Sequence, residues 1–186
     1  NGAAEHYFNC TQGGYFGTGQ VWSYAPGRGE GTADEQPGTL ALVYESPGPD
    51  TLDLCDNLAV APWGDLILCE DGRGDNYLRG LTPGGTIYDL ARNAHEGKAE
   101  FCGACFSPDG ATLWAGAFDS AVTFGAFSLT GNRDAFVARL GPGMTPIVEW
   151  ARGFGGDDPD RAEGVAVDPA GNPYVAAYFS GMTVVD

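Results

Sequence analysis

The sequence predicts an all-β protein, a β-propeller-like array of four-stranded antiparallel blades. Three observations carry that prediction. An apolar run, a Pro-x-Gly turn and a second apolar run recur in DNLAVAPWGDLILCEDG from Asp56, GACFSPDGATLWAGAF from Gly103 and GVAVDPAGNPYVAAYF from Gly164. Thirty glycines and twelve prolines are spread along the 186 residues, as many short strands joined by tight turns require. No stretch carries apolar residues at helical spacing. The best candidate, LARNAHEGKAEF from Leu90, is interrupted by Gly97 and reads as a connection between blades.

Taken in order, HYFNC, GQVWSYA and GTLALVYES supply most of a first blade, with the polar loop of residues 27–38 inserted between two of its strands. Residues 56–91 form a second blade. Its inner hairpin turns at Pro62-Trp63-Gly64, and its continuous apolar runs predict burial on both faces. Its outer hairpin, NYLRGLTPGGTIYDLAR, alternates apolar and polar residues around Pro83-Gly84-Gly85, the period of half-buried strands. Residues 102–152 repeat the plan, with an outer hairpin in DAFVARLGPGMTPIVEWAR. Residues 163–186 supply the inner half of a fourth unit. A closed propeller needs at least about four blades. About three and a half blades therefore predict an open array whose edges pair with remaining blades or with another copy.

Composition narrows the function. A 43% hydrophobic content supports a packed core. A net charge of −16 with nine basic residues argues against nucleic acid as a partner, because phosphate backbones are bound by Lys and Arg. No apolar run reaches the roughly 18 residues of a membrane-spanning helix, so membrane insertion is not expected. So many carboxylates suit either a well-solvated extracellular surface or calcium, a hard cation that takes oxygen ligands. The five cysteines, Cys10, Cys55, Cys69, Cys102 and Cys105, are too sparse for a disulfide framework and read as buried thiols. Cys102 and Cys105 lie in an extended segment with no second ligand pair, which disfavours a zinc or redox reading.

Nucleophile-elbow, zinc-protease and phosphate-loop motifs are absent. What remains is carboxylate chemistry at strand tips. Asp56 and Asn57 open the inner hairpin of the second blade, and Glu70 and Asp71 close it, so the four should gather at one rim. Glu100, Asp119 and Glu163 stand near equivalent places in the other units. Acids converging on a channel mouth suit a calcium or substrate-phosphate site; equally, they suit ordinary turns.

The segments FNCT-x-GG, DNL-x-V-x-P-x-G, LCEDG, LRGLTP-x-G and GACFSPDG, within residues 5–114, resemble the C-terminal part of the PhoX-type bacterial alkaline phosphatases. The resemblance implies a secreted, periplasmic or cell-surface phosphomonoesterase with a propeller fold and an iron–calcium centre. It places a metal-binding aspartate at Asp71, with Glu70 as neighbour and Asp56 contributing to calcium. The family's iron-ligand cysteine and its Arg-Pro-Glu-Trp segment have no match here, so no iron ligands are identified. From about Leu113 onward, DAFVARL, GVAVDPAGN and YVAAYFSG resemble a bacterial extracellular propeller repeat without assigned catalysis. Residues 1–112 and 113–186 are thus expected to be two kinds of blade, continuous with each other. The function implied is a fragment of a secreted metal-dependent phosphatase acting on small phosphate esters, inactive alone. The alternatives are a non-catalytic extracellular propeller scaffold and a calcium-dependent propeller lactonase or esterase.

Overall fold

The computed structural model describes residues 5–93, 101–142, 147–181 and 184–185. These residues form strands and turns only. Strands β1 (His6–Cys10), β2 (Gln20–Ala25) and β3 (Thr39–Glu45) make the first sheet. Strands β4 (Cys55–Val60), β5 (Leu66–Glu70), β6 (Asn76–Leu81) and β7 (Ile87–Asn93) make a four-stranded second sheet in sequence order. The third holds β8 (Phe101–Phe106), β9 (Thr112–Phe124), β10 (Phe127–Leu140) and β11 (Val148–Gly155), and β12 (Arg161–Val167) pairs with β13 (Pro173–Tyr178) in the fourth. All pairings are antiparallel. The first strands of successive sheets pack on one another, β1 on β4, β4 on β8 and β8 on β12. That succession is the radial order of a propeller, and no sheet closes into a barrel.

Apolar side chains explain the stacking. Ile67 and Leu78 of the second sheet join Phe101, Trp114, Phe124 and Phe136 of the third in one buried cluster. The Phe124 and Phe136 rings lie 4.8 Å apart between centroids. Val21, Leu52, Leu66, Leu68 and Leu81 form a second cluster between the first two sheets. Aromatic rings dominate the first cluster and aliphatic side chains the second.

Three features differ from the sequence expectation. The most deeply buried strands of the second sheet are its two middle ones, β5 and β6, whereas the innermost strand β4 is largely solvated. Middle strands have neighbours on both edges and sheets on both faces, while an innermost strand borders the open axis. Second, β9 and β10 run on past the blade as a long hairpin that closes at Gly125 (φ 59°), with Phe127 opposite Phe124. Third, the short strand β14 (Val184–Val185) pairs with the outer strand β11 rather than extending the fourth sheet. Cys10, expected to be buried, is exposed. Cys55 and Cys69 are buried, and burial pushes the Cys55 thiol up to about 12.

One turn recurs four times. In Ala61–Asp65, Thr82–Thr86, Ser107–Ala111 and Asp168–Asn172, the first N–H bonds the fifth carbonyl at 2.7–3.1 Å and the fourth N–H bonds the first carbonyl at 2.8–3.0 Å. The sequence is x-Pro-x-Gly-x each time. Proline presets the turn, and the glycine takes φ of 97°, 82°, 83° and 87° respectively. The Asp109 carboxylate reinforces the third copy. It accepts from the Ser107 hydroxyl, from the Ala111 N–H at 3.2 Å and from Arg139 at 2.5 Å. Those donors, Ser107 foremost, hold its carboxyl down to about 2.

At Gly64 a methyl group would meet nothing within 4 Å, so only the left-handed backbone resists substitution. Gly64→Ala should cost about 1–2 kcal/mol, read as a lower urea midpoint. Gly164→Ala, also in open space but at ordinary φ, should be near neutral. Because the Asp109 carboxyl is depressed, its contribution is present above the ordinary carboxylate range and disappears as pH falls from about 4 to about 2. The difference in melting temperature between the parent chain and Asp109→Asn should therefore be present at about pH 5 and fade by about pH 2.

Candidate functional site

The apolar strand β5 ends in a carboxylate that is buried, not displayed. Glu70 is 1% exposed. Its Oε1 accepts from Arg79 Nε at 2.8 Å and from the Asp53 N–H at 3.0 Å, and its Oε2 accepts from the Tyr77 N–H at 2.9 Å. Arg79, on the adjacent strand β6, also pairs with Asp89, and its guanidinium lies 3.9 Å from the centre of the Tyr77 ring. Burial pushes the Glu70 carboxyl up, while Arg79 and the two amides pull it back. Three N–H donors are what a buried carboxylate needs to remain tolerable.

This anchor positions the loop that follows. The Asp71 N–H bonds the Leu54 carbonyl at 3.1 Å, continuing the β4–β5 ladder by one step. The Gly72 N–H bonds Asn76 Oδ1 at 2.7 Å, and the Arg73 N–H bonds Asp53 Oδ2 at 3.3 Å. A Cβ at Gly72 would stand 2.1 Å from Asp53 Oδ2, so any larger residue there would displace the Asp53 side chain. Asp71 itself is exposed. Asp56 occupies a bulge between the Cys55↔Glu70 and Asn57↔Cys69 pairs, and Asn9 of the first sheet bonds the Cys55 and Asp56 carbonyls at 2.6 and 3.0 Å.

Asp56, Glu70 and Asp71 thus sit at one end of one hairpin, in different environments. Asp71 lines a cleft of about 860 Å³ between the second sheet and the β12 end of the fourth. Arg73, Arg133, Asp160, Arg161 and Tyr178 share its walls. Glu70 lies beneath, committed to Arg79. Among the described residues, no three His, Cys, Asp or Glu side chains gather as a metal-ligand set. The described residues therefore do not fit a calcium ion held by three carboxylates. Glu163 lies exposed on β12, paired with Arg161. Glu100 and the side chain of Asp119 lie outside the described residues. The three cleft arginines carried no sequence signal, because they come from three separate elements and join only in the fold.

Glu70→Gln leaves Arg79 buried with half of its charge partners. The variant should lose about 3 kcal/mol of stability in urea denaturation. Glu70→Gln combined with Arg79→Met should recover part of that loss, since it removes the orphaned charge.

The family model described as alkaline phosphatase PhoX matches residues 7–119. No curated protein matches the chain. The matched span runs from β1 through the blade-two hairpins and the Glu70–Asp71 rim into β9, more than half of the sequence. The chain belongs to the PhoX alkaline phosphatase family.

Proposed function

We propose that this chain is the propeller part of a secreted, metal-dependent phosphomonoesterase, located in the periplasm or at the cell surface. In this reading its cleft forms one wall of the substrate site. The observation that supports it is the placement of Asp71 and Arg73, both within the family match, on the wall of an 860 Å³ cleft at the strand end of the second sheet. Asp71 is the carboxylate free to meet a cation, and Arg73 meets the phosphoryl oxygens. Glu70 acts through structure, holding the residues before and after it. A calcium ion bound at Asp71 would polarise a phosphoryl oxygen and offset its charge. The chain's own residues orient the ester and bind its oxygens. Residues 113–186 serve as blades of the extracellular repeat type, continuing the stack and covering the far side of the cleft.

Calcium at about ten times its dissociation constant should raise the melting temperature by about 3–6 °C. Asp71→Asn should remove the rise. No shift in the parent chain would favour the non-catalytic scaffold instead. A chromogenic phosphate ester should not be turned over by the purified chain with calcium and iron, because the ligand segments implied by the resemblance have no match in it. Turnover lost in Asp71→Ala would show a complete active site.

A further inference from the structure

The far wall of the cleft comes from residues outside the family match, and its chemistry is cationic. Arg133 and Arg161 stand there, with Arg73 from the matched part sharing the same cleft. Three of the chain's nine basic residues thus line one cleft in a protein of net charge −16. Among the described residues the Arg73 and Arg133 guanidinium groups make no hydrogen bond or ion pair, whereas Arg79, Arg92 and Arg139 are each paired with acids. Arg161 keeps Glu163 and sits over the Tyr178 ring, 5.7 Å from its centre.

The backbone presents Arg133 in an unusual way. The β9–β10 ladder breaks between Gly131 and Asp134, and Arg133 takes a left-handed φ of 61°, a conformation that side-chain-bearing residues avoid. The turn is held from the neighbouring sheet. The Asp160 N–H bonds the Arg133 carbonyl at 2.7 Å, and Asn132 Nδ2 bonds the Asp157 carbonyl at 2.9 Å. Asp160 is 1% exposed and accepts from the Ser180 N–H at 2.7 Å through Oδ1, while its Oδ2 has no hydrogen-bond partner among the described residues. So one buried aspartate ties together the turn carrying Arg133, the start of the strand carrying Arg161 and the segment after Tyr178.

We propose that Arg133 and Arg161, together with Arg73, form an oxyanion-binding wall for a phosphoryl group that still carries a proton. Guanidinium groups suit tetrahedral oxyanions because their planar donors match two oxygens at once. One exposed carboxylate, Asp71, shares the cleft, with Asp160 buried behind its wall, and the two oppose a fully deprotonated anion. Asp71 favours one that offers an O–H, as hydrogen phosphate and protonated phosphate monoesters do. Sulfate has no proton to donate at neutral pH and is disfavoured. The choice of a phosphoryl ligand rests on the phosphatase reading above. The assignment of Arg133 and Arg161 rests on the cleft.

The test is calorimetric titration of the metal-free chain, in chelator, with inorganic phosphate and separately with sulfate. Phosphate should bind at least about tenfold more tightly than sulfate, and Arg133→Gln and Arg161→Gln should each weaken phosphate about tenfold. Arg133→Gly removes the guanidinium but suits φ 61° and keeps the carbonyl that Asp160 bonds. It should lose phosphate equally while its melting temperature holds or rises. Arg28→Gln, which removes the same charge from the 27–38 loop, should bind as the parent does. Absence of phosphate binding, equal binding of sulfate, or variants at 133 and 161 that behave like Arg28→Gln would overturn the proposal. Phosphate binding with no calcium response at Asp71 would sink the metal-dependent reading and leave this wall standing. A calcium response without arginine-dependent phosphate binding would do the reverse.

Discussion

The buried ion pair of Glu70 and Arg79 is the constraint on which the rim of the second sheet depends. A carboxylate at 1% exposure is costly unless its oxygens are supplied with donors, and Glu70 has three. Each donor comes from a different place: the chain before β4, the start of β6 and the side chain of Arg79. Satisfying one charge therefore fixes the approach to the hairpin, its exit and its neighbouring strand together. The 71–76 loop has little freedom after that, and its own bonds from Gly72 and Arg73 take up the rest. Asp71 is the first residue past the buried strand, and it lies exposed on the cleft where the chain leaves the sheet.

Much of the architecture was legible because its local rules are strong. Pro62, Pro108 and Pro169, each followed two residues on by a glycine, announce turns whose geometry is the same to within a few tenths of an ångström. Apolar runs on either side of them then have only antiparallel pairing available. The distribution of burial was less legible. Residues 56–60 and 66–70 look alike in apolar content, yet β4 is solvated and β5 buried, a difference made by which strand borders the axis. The long hairpin past Phe118 was missed because no proline or paired glycine marks its end; Gly125 alone does.

The site was partly legible for a similar reason. Asp56, Glu70 and Asp71 could be placed at one rim from hairpin geometry, since a hairpin returns its end beside its beginning. Their roles could not, because periodicity is blind to Arg79, which reaches Glu70 from the next strand. Arg73, Arg133 and Arg161 are separated by 60 and 28 residues in sequence and belong to a loop, the irregular part of β10 and the start of β12. Nothing local distinguishes them from solvated surface arginines. The left-handed backbone at Arg133 is a property of the broken β9–β10 ladder, in which Asn132 and Arg133 have no residue opposite them on β9.

An anion site on a chain of charge −16 runs against the global electrostatics, and distance resolves the conflict. At physiological ionic strength, charges farther apart than about 8 Å are largely screened. The acids spread over the four sheets therefore act weakly on a ligand in the cleft. What it meets there is the guanidiniums of Arg73, Arg133 and Arg161, the last shared with Glu163, alongside Asp71 and Asp160. The global charge still slows the approach of an anion, since long-range fields act on encounter more than on the bound state. Such a site gains selectivity from its neighbours: an anion that can share a proton with a carboxylate is held, and one that cannot is repelled by the same group.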